Sequence, residues 1–173
     1  MVKLALKYLN LGPVGGRGGV QRFFMLAHGI KFEETLFTPS EEWGAEKKRL
    51  IETGENPCGS VPVTYITGDG DQDSKTLSQH IATCRYLARV NKFDTGDIYK
   101  DFVQDLVADE YQSFRALWVD KTFTSDEKQK EEYRKKLLLE ELKKFDALYK
   151  KYKTSDVYLS TSPAGMPLWG DSA

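Results

Sequence analysis

The sequence predicts two successive architectures, an α/β unit built on a mixed sheet and then a segment made only of helices. Up to about residue 90, short alternating apolar runs interleave with longer runs at helical spacing. Beyond residue 97 the strand-like alternation stops and apolar residues recur at three and four. Residues 90–97 between them are polar, lack strong periodicity and read as a linker. The predicted domains are therefore 1–90 and 97–173.

Residues 3–9 alternate around Leu4 and Leu6 and give the first strand. Residues 11–19 read as a glycine-rich loop holding Pro13 and Arg17. Val20, Phe23, Phe24 and Ala27 then recur at helical spacing, and Gly29 stops that helix. Residues 31–37 are a second strand, and 43–51 a short polar helix that carries Trp43. After a loop at 54–60, residues 61–66 form a third strand with Pro62 at its entry. A residue without an N–H is tolerated at a strand edge, and a cis bond is expected there. Gly68 to Asp71 is a turn, 75–77 a short fourth strand, and 78–89 a helix with Ile81, Cys84 and Ala88 on one face. The order is βαβαββα.

In the second part, residues 98–122 make a long helix marked by Phe102, Leu106, Tyr111, Phe114 and Trp118. Thr124-Ser125-Asp126-Glu127 reads as a capping box for the next helix, which runs to about residue 152. Its seam, Leu138, Leu142, Phe145, Tyr149 and Tyr152, covers two heptads and suits a buried bundle helix better than a free coiled coil. Residues 154–173 hold Pro163, Gly165, Pro167 and Gly170 and predict no element.

Composition narrows the function. The 173 residues are 40% hydrophobic and 29% charged, which suits a packed soluble core. The 25 basic and 26 acidic residues leave a net charge of −1, which argues against nucleic acid or an anionic membrane as a main partner. No apolar run approaches the ~18 residues of a membrane span. The two cysteines, Cys58 and Cys84, form no CxxC pair, and a reduced cytoplasmic setting follows. No zinc site is evident from two histidines and two cysteines. Asp69 to Asp73 imitates a calcium loop, but Ser74 stands where glycine is needed and His80 where a glutamate should be. The glycine-rich loop lacks the Gly-Lys-Ser/Thr ending of a phosphate cradle.

Tyr8 at the end of the first strand, Arg17, the Trp43/Lys47 pair, Val61-Pro62 and Gln79-His80 occur in an order and spacing that resembles the cytosolic glutathione S-transferases, the tyrosine-type, sigma-like and fungal members above all. The resemblance covers nearly the whole sequence and is closer in the first half. It implies a thioredoxin-like domain that binds glutathione, followed by an all-helical domain. Tyr8 would be the catalytic tyrosine. A thiol has a pKa near ~8.5, and a phenolic O–H donated to the sulfur stabilises the thiolate. Arg17 would hold the peptide or its carboxylate or close the loop; otherwise it is a solvated loop arginine. Trp43 and Lys47, four apart on one helix face, would both donate to the glycine carboxylate. Their alternative is a packing tryptophan beside a surface lysine. Val61 would pair its backbone N–H and C=O with the cysteinyl part, with Pro62 fixing the geometry. Gln79 and His80 would receive the glutamyl carboxylate at a helix N-terminus. His80 replaces the family's serine, and its alternative is a surface histidine.

The family also implies glutathione as cosubstrate with no metal, a small hydrophobic electrophile, and a homodimer. Leu168-Trp169-Gly170-Asp171 resembles the capping segment of the family's sixth helix, so the helical domain is expected to be incomplete, truncated at its C-terminal end. Phe145, Leu148 and the Trp118 region would then face solvent or a partner. The rival expectation is a non-catalytic module of the same fold, serving binding or assembly.

Overall fold

The structure, a computed structural model, describes residues 3–12, 15–68, 74–93 and 96–153. The protein divides into two compact units, one reaching Lys92 and the other starting at Phe93.

The first unit holds β1 (Lys3–Leu9), α1 (Gly16–Ala27), β2 (Glu33–Phe37), α2 (Glu41–Glu52), β3 (Val63–Thr67), β4 (Lys75–Ser78) and α3 (His80–Val90). The sheet runs β2-β1-β3-β4. β1 and β2 are parallel, because the 12-residue crossover helix α1 returns the backbone to the same end. β3 is antiparallel to both β1 and β4. This is the mixed sheet and element order that the sequence predicts.

Alternation along the strands separates two faces. Leu6 and Tyr8 face α1, as does Thr64, whose hydroxyl donates to the Gln21 side-chain oxygen at 3.1 Å. Behind them Phe24, Met25, Ile81, Cys84 and Leu87 are buried and form the core. On the opposite face Lys7 and Tyr65 meet Glu46 and Arg49 of α2 and Glu55 of the loop that follows it. Tyr65 donates to Glu55 at 2.9 Å, and Lys7 lies 5.0 Å from the Tyr65 ring centre.

α1 begins earlier than the sequence predicts. Gly16, Arg17, Gly18 and Gly19 form its first turn rather than the end of a loop. Glycine is the weakest helix former after proline, so the pattern pointed to a loop. Packing overrides it. A Cβ on Gly18 would sit 2.3 Å from the Tyr8 ring, so only glycine lets the helix start lie on that ring. β3 begins two residues later than predicted, which leaves Val61 and Pro62 outside the ladder. The Val61–Pro62 bond is cis, as expected.

The second unit holds α4 (Ile98–Val119), a π-helical turn (Asp120–Thr124), α5 (Glu127–Glu132), a second π-helical turn (Tyr133–Leu137) and α6 (Leu138–Tyr152). Asp97 caps α4 by accepting from the N–H groups of Tyr99 and Lys100. The capping box exists but is shifted: Asp126 accepts from the Gln129 N–H, and the Gln129 side-chain oxygen accepts from the Asp126 N–H. The single long helix expected after it is widened by the turn at Tyr133–Leu137. The seam of α6 is not a buried bundle face. No α6 residue is buried, and Leu142 is 48% exposed. α6 meets α4 edge-on through Phe145 and Phe114, 5.6 Å apart. Trp118 is 37% exposed, and Phe145 and Leu148 are half-buried. Residues 69–73, which hold most of the turn predicted at Gly68 to Asp71, and residues 154–173, including Leu168-Trp169-Gly170-Asp171, lie outside the described residues.

Candidate functional site

Three of the predicted residues lie level with one another at one end of the sheet. The β1–β3 ladder pairs Lys7 with Val63, and one further step brings Tyr8 level with Pro62. The β3–β4 ladder pairs Val63 with Ser78, and the same step brings Pro62 level with Gln79. Val61 lies one residue beyond this row.

Tyr8 is only 4% exposed, so its ring is covered and does not stand free at a strand tip. The cover is glycine: a Cβ on Gly16 would lie 2.1 Å from the Tyr8 hydroxyl. That hydroxyl sits at the start of α1 and accepts from the Arg17 backbone N–H at 2.9 Å. It donates to nothing among the described residues, so the phenolic proton is available to an outside acceptor. Arg17 therefore meets Tyr8 through its backbone. Its side chain is exposed and makes no ion pair among the described residues.

Trp43 is half-buried, with its ring 6.2 Å from that of Phe37 at the end of β2. Lys47, one turn on, is exposed. Its Cε lies 3.2 Å from where a Gly59 Cβ would be, so its stem runs along the loop that precedes Val61. Asn56, 1% exposed, shapes that loop. Its side-chain amide donates to the Ser60 carbonyl at 2.6 Å, and its backbone carbonyl accepts from the Gly59 N–H at 2.9 Å. Cys58 in the same loop is an exposed free thiol. The Asn56-Pro57 pair signalled a turn in the sequence, but nothing marked the amide as its fastener.

Gln79 stands at the N-cap of α3 with φ +68, a left-handed backbone that a side chain seldom adopts. Such departures cluster at functional sites. α3 has no capping side-chain hydrogen bond, so its first-turn N–H groups and the positive end of its dipole point out from this end of the sheet. His80 departs from both expectations for it: its side chain is fully buried, neither on the surface nor open to a ligand from solvent. The first turn directs position 80 into the core and position 79 outward.

A charged cluster beneath α2 escaped the sequence reading. Glu46 accepts from Arg49 at 2.8 Å and from Lys7 at 3.1 Å. These bonds, the one from Arg49 above all, hold its carboxyl down at about 2. Arg49 also bridges to Glu55, and that bond, then the one from Tyr65, lowers the Glu55 carboxyl. Burial, then the bond to Glu55, pushes the Tyr65 phenol up to about 12. The cluster ties α2, and with it Trp43 and Lys47, to β1 and β3. Among the described residues no group of three or more His, Cys, Asp or Glu could hold a metal ion, and no helix is long and apolar enough to cross a membrane.

Solved structures share this fold over almost the whole sequence. NaGST-2 is 25% identical, with a TM-score of 0.73, over 99% of this protein and 77% of its own length. A Caenorhabditis elegans glutathione S-transferase is 24% identical with a TM-score of 0.73, over 98% and 76%. The pi-class enzyme of Onchocerca volvulus is 20% identical with a TM-score of 0.78, over 98% and 73%. The fold is that of the glutathione S-transferases. No protein-family model matches the sequence. Among curated proteins, DNA topoisomerase 1 of Helicobacter pylori is 30% identical over 73 residues, 42% of this protein and 10% of that one. The match thus spans a tenth of the length of those curated relatives, too little to show a family.

Proposed function

We propose that the protein binds glutathione along the Val61-Pro62 edge and activates its thiol with Tyr8 for attack on a small apolar electrophile. One observation carries this reading. The Tyr8 hydroxyl accepts from Arg17 N–H, keeps its own proton undonated, and belongs to the strand position level with Pro62 and Gln79. A sulfur laid beside Val61 would take that proton as a hydrogen bond. One charge-assisted bond contributes about 1.5–3 kcal/mol, enough to lower the thiol pKa by roughly 1–2 units.

Val61 offers the cysteinyl part a free backbone edge. The α3 start at Gln79 receives the glutamyl carboxylate, with the His80 contribution limited to its backbone. Trp43 and Lys47 donate to the glycine carboxylate, and Arg17 screens the loop side. No metal is required. The free, unpaired cysteines fit a reducing cytoplasm. We also place a second copy of the protein on the exposed start of α4, where Ile98 is 89% and Phe102 51% exposed.

A second reading has its own observation. Tyr8 is only 4% exposed, and the start of α1 lies against its hydroxyl. A protein in which this cover keeps a thiol from the phenol would bind glutathione without conjugating it. Retention on immobilised glutathione, followed by conjugation of 1-chloro-2,4-dinitrobenzene by wild type and Tyr8→Phe, separates the two. Retention with activity that falls by about 10- to 100-fold in Tyr8→Phe supports the enzyme. Retention without activity leaves the binding module, and no retention removes both.

A further inference from the structure

Arg49 sits on α2 just past Lys47, on a different face from the Trp43/Lys47 pair. Its guanidinium meets two carboxylates, each as a fork. Nε and Nη2 donate to Glu46, one turn back on the same helix, at 2.8 and 2.9 Å. Nη1 and Nη2 donate to Glu55, in the loop beyond the helix, at 2.5 and 3.0 Å. Each carboxylate has a second anchor on the sheet. Lys7 of β1 donates to Glu46 at 3.1 Å, and the Tyr65 hydroxyl of β3 donates to Glu55 at 2.9 Å. A single exposed ion pair contributes little, but bidentate pairs joined in a network fix geometry.

The network joins the two halves of the proposed tripeptide site. One half is α2, with Trp43 and Lys47. The other is the loop that delivers Val61. Next to Glu55 in that loop is Asn56, whose N–H donates to the Leu50 carbonyl at 3.0 Å and whose side-chain amide donates to the Ser60 carbonyl at 2.6 Å. Gly59 lies against α2, since a Cβ there would meet the Ile51 side chain at 2.6 Å. Val61 has a separate anchor: Pro62 is buried, and Val63 is paired in the ladder with both β1 and β4. Losing Arg49 therefore frees the helix and leaves the edge in place.

On the glutathione reading above, we propose that Arg49 is a positioning residue: it sets the spacing between the Val61 edge and the Trp43/Lys47 donors, and so makes the site select a tripeptide with a carboxylate one residue beyond its cysteine. Arg49 itself donates nothing to the ligand. A γ-glutamylcysteine dipeptide uses the Val61 edge and the start of α3, and its carboxylate falls one residue short of α2. Its binding is then indifferent to where α2 stands.

The test uses the full-length protein, with circular dichroism and urea denaturation to check folding. Calorimetry compares glutathione with γ-glutamylcysteine on each variant. Wild type should prefer glutathione by at least about tenfold. Arg49→Lys keeps the charge and loses the fork. It should weaken glutathione by about tenfold and leave the dipeptide within about twofold, so that the preference collapses. Glu55→Gln should act in the same direction. Lys48→Gln, an exposed charge on the same helix paired with Glu52, should change neither. In conjugation of 1-chloro-2,4-dinitrobenzene, Arg49→Lys should raise the KM for glutathione by the same factor, with kcat within about twofold. Equal loss of both peptides in Arg49→Lys, an unchanged preference, or a loss confined to kcat would each overturn the proposal. A wild type that binds both peptides equally would overturn it and leave Tyr8 and the Val61 edge standing. A wild type that binds neither would remove the glutathione reading, and this proposal with it.

Discussion

Tyr8 and the glycines above it make the sharpest residue-level argument. A phenol in a strand is ordinary, but one that excludes a side chain at two positions, Gly16 and Gly18, of the first turn of the next helix is not. Gly18→Ala would place a methyl within 2.3 Å of the Tyr8 ring. Overpacking of this kind costs typically about 1–3 kcal/mol, read as a lower urea midpoint. In a Tyr8→Ala background the same substitution should cost much less, because the obstructing ring is gone. Additive losses would mean that the contact is not what requires glycine. The tyrosine was legible as a candidate in the sequence. Its cover was not, because glycine at positions 16, 18 and 19 carries a local signal for loop, and the contact that overrides it comes from a different element. His80 failed for a related reason: residue type suggested a surface or ligand role, and burial is decided by which way the first turn of α3 faces.

At the scale of elements, the unexpected feature is how α2 is fastened. Lys7, Glu46, Arg49, Glu55 and Tyr65 come from three elements and a loop, and each alone reads as an ordinary surface charge or strand aromatic. Only the fold brings them together, so no spacing rule could reveal them. The Glu46 carboxyl is held at about 2 against an ordinary 4.5. A depressed carboxylate stabilises the fold above its unfolded pKa, and that contribution disappears as pH falls through the folded value. The shift bounds the contribution at about 3 kcal/mol, present in full above about pH 5 and lost toward pH 2. Glu46→Gln should therefore lower the urea midpoint at pH 7 and flatten its decline between about pH 5 and 3. An unchanged slope would show that Glu46 contributes little. α5 offers a simpler case. Its capping box was predicted from sequence, displaced in frame. Asp126→Ala should cost about 1 kcal/mol by thermal denaturation.

For the whole molecule, the element order and the mixed sheet followed from periodicity, since a period of two and a period of 3.6 are hard to confuse over several turns. The exposure of α6 did not, because a heptad seam states which residues share a face and not whether anything covers it. Exposed apolar residues at the start of α4, Ile98, Tyr99 and Phe102, motivate the proposed second copy. Sedimentation velocity should show concentration-dependent dimers, and Phe102→Glu should shift them to monomers. A monomer at every concentration would remove the dimer and leave the site on the first unit untouched.

The two cysteines differ in a way that can be put to use. Cys84 is 2% exposed, and burial pushes its thiol up to about 12, so at neutral pH it stays protonated and inaccessible. Cys58 is open to solvent in the loop that Asn56 fastens, just before Val61. A maleimide dye should therefore attach at one place without any engineering. Its emission would report the arrival of a tripeptide at the proposed Val61 edge in unmutated protein.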